Sequence, residues 1–224
     1  MIPIDLMITK PVAMPDNQPL KAEAMLPWPK LIEGVLIRRY QRFKADIRLA
    51  SGAEVTAHCA NTGRMTSCCE PGRPVYVSWH DNPKRKLKYS WQLIQMPTSL
   101  VGVNTAVPNK LVAKAIRKGR ILSYAKSARV EREVRVGAHC RLDLAVHTPG
   151  RPSVYIEVKN CTWVEKGVAR FPDAVTARGA KHLSVLQRLV AAGHRCLMLF
   201  LIQRMDAHVF QPAAVIDAQY AKAL

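Results

Sequence analysis

From Leu31 to Met96 the chain is a succession of short apolar runs, "EGVLIRRY", "RFKADIRLA", "EVTAHCAN", "PVYVSWHD" and "YSWQLIQM", separated by "SG", "EPGRP" and "DNPKRK". Runs of this length, rich in Val, Ile, Tyr and Trp and bounded by Gly, Pro, Asn and Asp, predict β-strands joined by turns. Five strands in so short a stretch predict a small barrel, because closing the sheet removes its exposed edges. An OB-like barrel is the natural candidate.

After "VGVNTAVPNK" the period lengthens. "NKLVAKAIRKG" puts Leu111, Val112, Ala115 and Ile116 at helical spacing, with Lys110, Lys114, Arg117 and Lys118 elsewhere on the helix and Gly119 as its stop. Strand-like "VEREVRV", "RLDLAVH" and "VYIEVKN" follow, then a helix from about Pro172 to Ala192. "CLMLFLIQ" comes next, a continuous apolar run of the kind buried at a sheet centre. The order reads α-β-β-β-α-β. For the long helix, Pro172 suits the first turn, Asp173 complements the positive end and Gly193 is placed to terminate it. Leu183, Leu186, Leu189 and Val190 form its buried stripe. Arg178, Lys181 and His182 cluster one turn earlier, as a solvated basic face or as phosphate contacts.

Residues 1–26 mix Pro, Asn, Gln and Ala without periodicity and predict a poorly ordered extension. The expected organisation is therefore α+β: that extension, a barrel domain over 27–104 and a second domain over 105–224. No run of about 18 apolar residues and no signal-length apolar segment occurs, which predicts a soluble, cytoplasmic protein without a membrane partner.

Charge changes the picture. Thirty-four Lys and Arg against 16 Asp and Glu give a formal +18. A field of one sign at that excess attracts polyanions; nucleic acid is the leading partner and an acidic membrane surface the lesser competitor. The six cysteines show no C-x-x-C pair and no zinc spacing, so reduced, mostly buried thiols are expected.

Three charges interrupt the apolar strands: Asp143 in "RLDLAV", then Glu157 and Lys159 in "VYIEVKN". Strand alternation puts Glu157 and Lys159 on one face and Ile156 and Val158 on the other, with Asp143 opposite Leu142 and Leu144. If the two strands are neighbours, Asp143 and Glu157 converge beside Lys159, in outline a site for Mg²⁺. Carboxylates are hard oxygen ligands, and a lysine can position an attacking water or stabilise charge on phosphorus. Glu133 is a candidate third carboxylate, Glu131 a weaker one. The plainer reading is a hairpin with a Glu/Lys and an Asp/Arg cross-strand pair.

A longer set of motifs goes further. "HCANTGRM", "KRKLKYSWQLI", "VNTAVPNKLV", "CRLD", "YIEVKN" and above all "FPDAVTARGAKHL" resemble the sugar fermentation stimulation protein A family, from about Leu26 to the C-terminus. The resemblance implies an OB-like domain followed by a PD-(D/E)xK nuclease-like domain. It places Asp143, Glu157 and Lys159 at the nuclease motif positions, with Glu133 as a further metal ligand and Mg²⁺ or Mn²⁺ as the cofactor if there is one. The sequence departs from the family in having Cys140 where Ser is commoner, in its N-terminal extension, and in stopping at "QYAKAL", so a C-terminally shortened second domain is expected.

The expected function is DNA binding, largely independent of sequence, with a regulatory role in sugar (maltose) metabolism implied by the resemblance. The alternative is a Mg²⁺-dependent nuclease acting on DNA or RNA. A third class, a structural RNA-binding or ribosome-associated factor, would use the same charge without the metal. Candidate phosphate contacts are Lys84, Arg85, Lys86 and Lys88 in the "PKRKLK" loop, Arg38 and Arg39 on the first barrel strand, and Arg178 and Lys181. Trp79 and Trp91 flank the loop as core residues or stacking platforms, and Asn61, Thr62 and Gly63 form a turn or a close backbone approach.

Overall fold

The computed structural model describes residues 5–9, 26–122, 127–137 and 140–224. The chain opens with strand β1 (Asp5–Thr9), which belongs to the sheet of the second domain. The barrel then forms from β2 (Leu31–Tyr40), β3 (Lys44–Leu49), β4 (Glu54–His58), β5 (Pro74–Trp79) and β6 (Tyr89–Gln95), with β7 (Leu100–Gly102) added alongside β6. β2 pairs antiparallel with both β3 and β5, β3 with β4, and β5 with β6. Parallel pairing of β4 with β6, Ala57 opposite Tyr89 and His58 opposite Ser90, closes the cylinder. Alternation sends Ala45, Ile47, Val75 and Val77 inward, packed around Leu36, Ile94 and the fully buried Trp91. Trp91 is thus core, whereas Trp79 is half exposed.

The second domain comprises α1 (Val107–Arg117), β8 (Arg129–Val136), β9 (Cys140–His147), β10 (Val154–Cys161), β11 (Trp163–Glu165), β12 (Val168–Phe171), α2 (Ala177–Ala191), β13 (Arg195–Ile202), β14 (Val209–Pro212) and α3 (Ala218–Ala223). Its main sheet runs β1-β13-β10-β9-β8. β1 and β10 lie parallel to β13, and β9 and β8 follow antiparallel. Val112 and Ile116 of α1 pack on one face with Leu144, Ile156 and Leu199; Leu183 and Leu186 of α2 pack on the other with Met198 and Phe200. The α-β-β-β-α-β order read from the sequence is present, and Gly119 (φ +64°) and Gly193 (φ +87°) end the two helices as expected.

Three features differ from the sequence reading. The N-terminal extension contributes β1, which covers the outer edge of β13, a strand apolar enough to need a neighbour on both sides. The rest of that segment, residues 1–4 and 10–25, lies outside the described residues. Helix α2 starts at Ala177 rather than near Pro172: Thr176 caps it by accepting a hydrogen bond from Gly179 N (3.0 Å), and Pro172 precedes it in a cis peptide bond with Phe171. Between β10 and α2 an extra hairpin, β11–β12, joins β14 in a separate small sheet.

Polar contacts rather than apolar area register the two domains. Asp173, displaced from the role of helix-end charge, accepts a hydrogen bond from Met65 N (3.2 Å) of the barrel. A Cβ on Gly63 would sit 2.6 Å from Asp173 Oδ2, so the loop can approach only because residue 63 is glycine. Gly63→Ala is therefore expected to break this contact and destabilise the protein by about 1–3 kcal/mol, measured by chemical unfolding. The six cysteines are free, four of them buried. Among the described residues no helix is long and apolar enough to cross a membrane.

Candidate active site

β9 and β10 pair from Val146 opposite Val154 to Leu144 opposite Ile156, and the pairing stops there. The alternation breaks at the same point: Leu144 packs on the α1 side and Leu142 on the α2 side. Asp143 sits at this break. Its Oδ2 accepts from Val158 N (2.8 Å), taking the place of a ladder carbonyl, and its Oδ1 accepts from Asn109 Nδ2 of α1 (2.6 Å). The carboxylate thus holds open the gap between two strands that have begun to separate.

Glu157 and Lys159 project from β10 toward α2. Lys159 Nζ lies 2.6 Å from Glu157 Oε1, and His182 Nδ1 contacts the same oxygen. Glu157 is 3% exposed, and its other oxygen, Oε2, is buried with no hydrogen-bond partner. Burial is the largest influence on Glu157 and would raise its pKa; the His182 hydrogen bond and the Lys159 charge outweigh it and hold the carboxyl below the usual range. Asp143 goes the other way. Burial first, and the negative charge of Glu157 second, push it up to about 6 against the pull of Val158 N–H, Lys159 and Asn109. Two carboxylates whose environments drive them apart are a functional signature when they share a small volume with a lysine.

Glu133 does not join them. It adopts φ +58° on β8 and pairs with Arg141 Nε (2.8 Å), while Glu131 pairs with Arg129 (3.0 Å) and His147 (3.4 Å). Glu133–Arg141 and Glu131–His147 are surface cross-strand pairs between β8 and β9, and Arg129–Glu131 is a pair within β8. Among the described residues no group of three or more His, Cys, Asp or Glu side chains forms a metal cluster. From the described residues, a cation here would draw on two carboxylates, Asp143 and Glu157.

The basic candidates divide. Arg38 pairs with Asp46 (2.8 Å) and lies over the Tyr40 ring. Arg39 donates to the carbonyls of Arg42, Asn61, Gly63 and Arg64, clamping the "NTGR" loop rather than facing solvent as a free cation. In the β5–β6 loop, Arg85 donates to Ser90 Oγ (2.8 Å) and Lys88 to Asn82 O (2.9 Å), which leaves Lys84 and Lys86 as the exposed charges. Arg178 and Lys181 are exposed on α2 and line a depression with Arg141, Arg135 and the edge of His182.

Asn109, which touches Asp143, does not stand out in the sequence, and His182, read there as part of a basic face or a phosphate contact, instead contacts Glu157. Each lies on the buried stripe of its own helix, Asn109 in phase with Val112 and Ile116, and His182 with Val185 and Leu186. A polar residue on an apolar stripe is the signal that would have found them.

The sugar fermentation stimulation protein RE domain matches residues 106–224, and the SfsA N-terminal OB domain matches residues 37–103. Sugar fermentation stimulation protein homologs from Acidithiobacillus ferrooxidans and Geobacter sulfurreducens are 49% and 48% identical over 197 and 200 residues, covering 88% and 89% of this chain and 85% of each relative. A solved structure of Pyrococcus furiosus SfsA in complex with Ca²⁺ superposes with a TM-score of 0.80 at 25% identity, over 90% of this chain and 85% of that one. With both domains matched and close relatives spanning most of its length, the chain belongs to the sugar fermentation stimulation protein family.

Proposed function

We propose that this protein binds DNA largely without regard to sequence and that Asp143, Glu157 and Lys159 form a divalent-cation-dependent centre for phosphodiester cleavage. The observation that carries the proposal is the buried carboxylate pair with an orphaned oxygen, set beside a lysine in a chain of formal charge +18. Asp143 and Glu157 suit a hard cation: both are oxygen donors, Glu157 Oε2 lacks a partner, and their repulsion is what a cation would relieve. With these two carboxylates, an ion such as Mg²⁺ or Mn²⁺ would take its remaining ligands from water and substrate phosphate. The relative from Pyrococcus furiosus, solved with Ca²⁺, supports an oxygen-ligand cation in this family. Bound there, the ion would supply charge neutralisation at phosphorus and a more acidic water. Lys159, held against Glu157, is placed to stabilise negative charge on the phosphate, and His182 fixes the Glu157 carboxylate from behind.

Sequence independence is supported by the placement of both long helices, which pack on the main sheet and so do not stand out as reading heads for a groove. Affinity then rests on phosphate contacts. Lys84→Ala with Lys86→Ala is expected to weaken binding equally across sequences and to lower the salt slope of log K on duplex DNA by about 0.9 for each phosphate no longer neutralised. An unchanged slope by anisotropy titration would remove this loop from the interface. Binding without cleavage is the second reading, favoured by Lys159 and His182 both engaging one Glu157 oxygen, which neutralises the carboxylate internally. One assay of binding and cleavage on single- and double-stranded DNA and RNA, with and without Mg²⁺ or Mn²⁺, separates the two. Cation-dependent cleavage lost in Lys159→Ala supports the centre; no cleavage and no cation effect on binding or melting would overturn it.

A further inference from the structure

A cleft of about 890 Å³ lies between the barrel and the start of α2. Arg42 and Arg64 enter it from the barrel, Arg170 and Arg178 from the second domain, and Arg39 underlies the loop that forms one wall. Among the described residues Asp173 is the only acidic side chain lining it, and its Oδ2 is already engaged by Met65 N. Arg42, Arg64 and Arg178 are exposed and have no ion pair among the described residues.

The walls also carry donors without acceptors. Arg170 Nε, Trp163 Nε1 and Arg39 Nε are each buried with no hydrogen-bond partner, and all three residues line this one cleft. A cleft lined by Arg42, Arg64, Arg170 and Arg178, whose walls also hold three unsatisfied donors, calls for an anion rich in acceptor oxygens. A phosphoester fits both the charge and the donor geometry, and the volume exceeds a lone phosphate, leaving room for the attached nucleoside.

Arg178 is shared between the cleft and the depression lined by Arg135, Arg141, Lys181 and the edge of His182, so a strand seated between the domains would continue past Arg178 along that basic depression.

We propose that the inter-domain cleft is a phosphoester-binding site that seats the backbone of a nucleic-acid strand, with Arg42, Arg64, Arg170 and Arg178 as its phosphate contacts. This rests on the DNA-binding reading, but the site is distinct from the barrel loop and from the carboxylates.

The test uses the full chain without divalent cation. Binding of labelled single-stranded and duplex oligonucleotides is measured by anisotropy over a range of salt, and binding of a nucleoside monophosphate and of inorganic phosphate by calorimetry. The variants are Arg42→Ala/Arg64→Ala, whose side chains are exposed, Arg170→Met, and Lys84→Ala/Lys86→Ala for comparison; thermal melting checks each fold. The cleft variants are expected to weaken strand binding by about tenfold or more and to lower the salt slope by roughly 0.7 to 0.9 per arginine. Monophosphate binding lost in the same variants, with strand binding unchanged, would also support a phosphoester site but assign it to a free nucleotide. Cleft variants that bind both ligand types as wild type does would overturn the inference, and loss of DNA affinity in the barrel-loop variant alone would then leave the DNA-binding reading standing. If the wild type binds no DNA, that reading falls, and monophosphate binding alone decides the cleft: present and Arg-dependent supports it, absent overturns it.

Discussion

With the proposed cation centre in place, Mg²⁺ or Mn²⁺ is expected to raise the melting temperature and Asp143→Asn to abolish that rise and any cleavage, while leaving the metal-free protein about as stable as wild type at neutral pH. The folded state raises the Asp143 carboxyl from 3.8 to about 6, through burial and the nearby Glu157 charge. A group whose folded pKa lies above its unfolded one favours the fold when protonated. Stability of the metal-free protein should therefore fall as pH rises from about 4 to about 6 and stay at the lower level above that. The full penalty is at most about 3 kcal/mol. Asparagine removes the charge and the penalty together but offers one acceptor where the carboxylate offered two, to Asn109 and Val158 N, at a cost of roughly 1–2 kcal/mol. The two terms nearly cancel above pH 6, and the variant should lack the loss of stability between pH 4 and 6 that Asp143 contributes to wild type. Cation affinity or turnover should drop on the order of a hundredfold or more, because one of the two carboxylates of the centre is gone. Melting scans from pH 4 to 8 with and without millimolar cation check both halves. Lys159→Ala should keep the cation-induced shift and lose cleavage; a retained turnover would take Lys159 out of the chemistry.

The second large effect is on stability. Arg204→Met is expected to destabilise the protein by about 3–5 kcal/mol, lowering the melting temperature by roughly 10 °C. The guanidinium is 4% exposed and binds Asp206 through two nitrogens, Nε to Oδ1 at 2.6 Å and Nη2 to Oδ2 at 2.7 Å. Its remaining nitrogen donates to Ser67 O and Oγ in the barrel and to Thr162 O in the second domain, so one side chain bolts the two domains together. Methionine fills the volume but leaves the Asp206 carboxylate, 14% exposed, without its cationic partner, with Thr98 Oγ1 and its own backbone N–H still donating to it. Replacing Asp206 with Leu in the same chain should restore part of the loss, since an unpaired buried charge costs more than a missing pair. Calorimetry should show one transition in wild type and a broadened or split one in Arg204→Met. A variant as stable as wild type would mean that the domains are held by other contacts.

Arg204 was invisible in the sequence for the same reason that Asp143 was visible. Asp143, Glu157 and Lys159 break local patterns: a charge in an apolar strand is anomalous within a window of a few residues, so its type and phase already point to chemistry. Arg204 lies just after β13 in "LIQRMDA", where an arginine is ordinary; only the arrival of Ser67, 137 residues earlier in the chain, makes it a linchpin. Asp173 is similar. Beside Pro172 it reads as a helix-end charge, yet Thr176 captures the cap and Met65 N captures Asp173.

Periodicity and turn chemistry in the sequence by themselves determined the barrel strands from Leu31 to Gln95, helix α1 with its stop at Gly119 and the α-β-β-β-α-β order, and they marked Asp143, Glu157 and Lys159 as charges out of place in apolar strands. These follow from backbone repeats of 2 and 3.6 residues and from side-chain type, both local properties. Only the tertiary structure decided that Asp5–Thr9 completes the second sheet, that Asn109 and His182 hold the two carboxylates, that Glu133 turns away to Arg141, and that loops of both domains enclose an arginine-lined cleft. Each of these depends on which element docks against which. A short segment becomes a strand when a free edge is beside it, and a polar side chain becomes a partner when a distant donor or acceptor is brought within hydrogen-bonding distance.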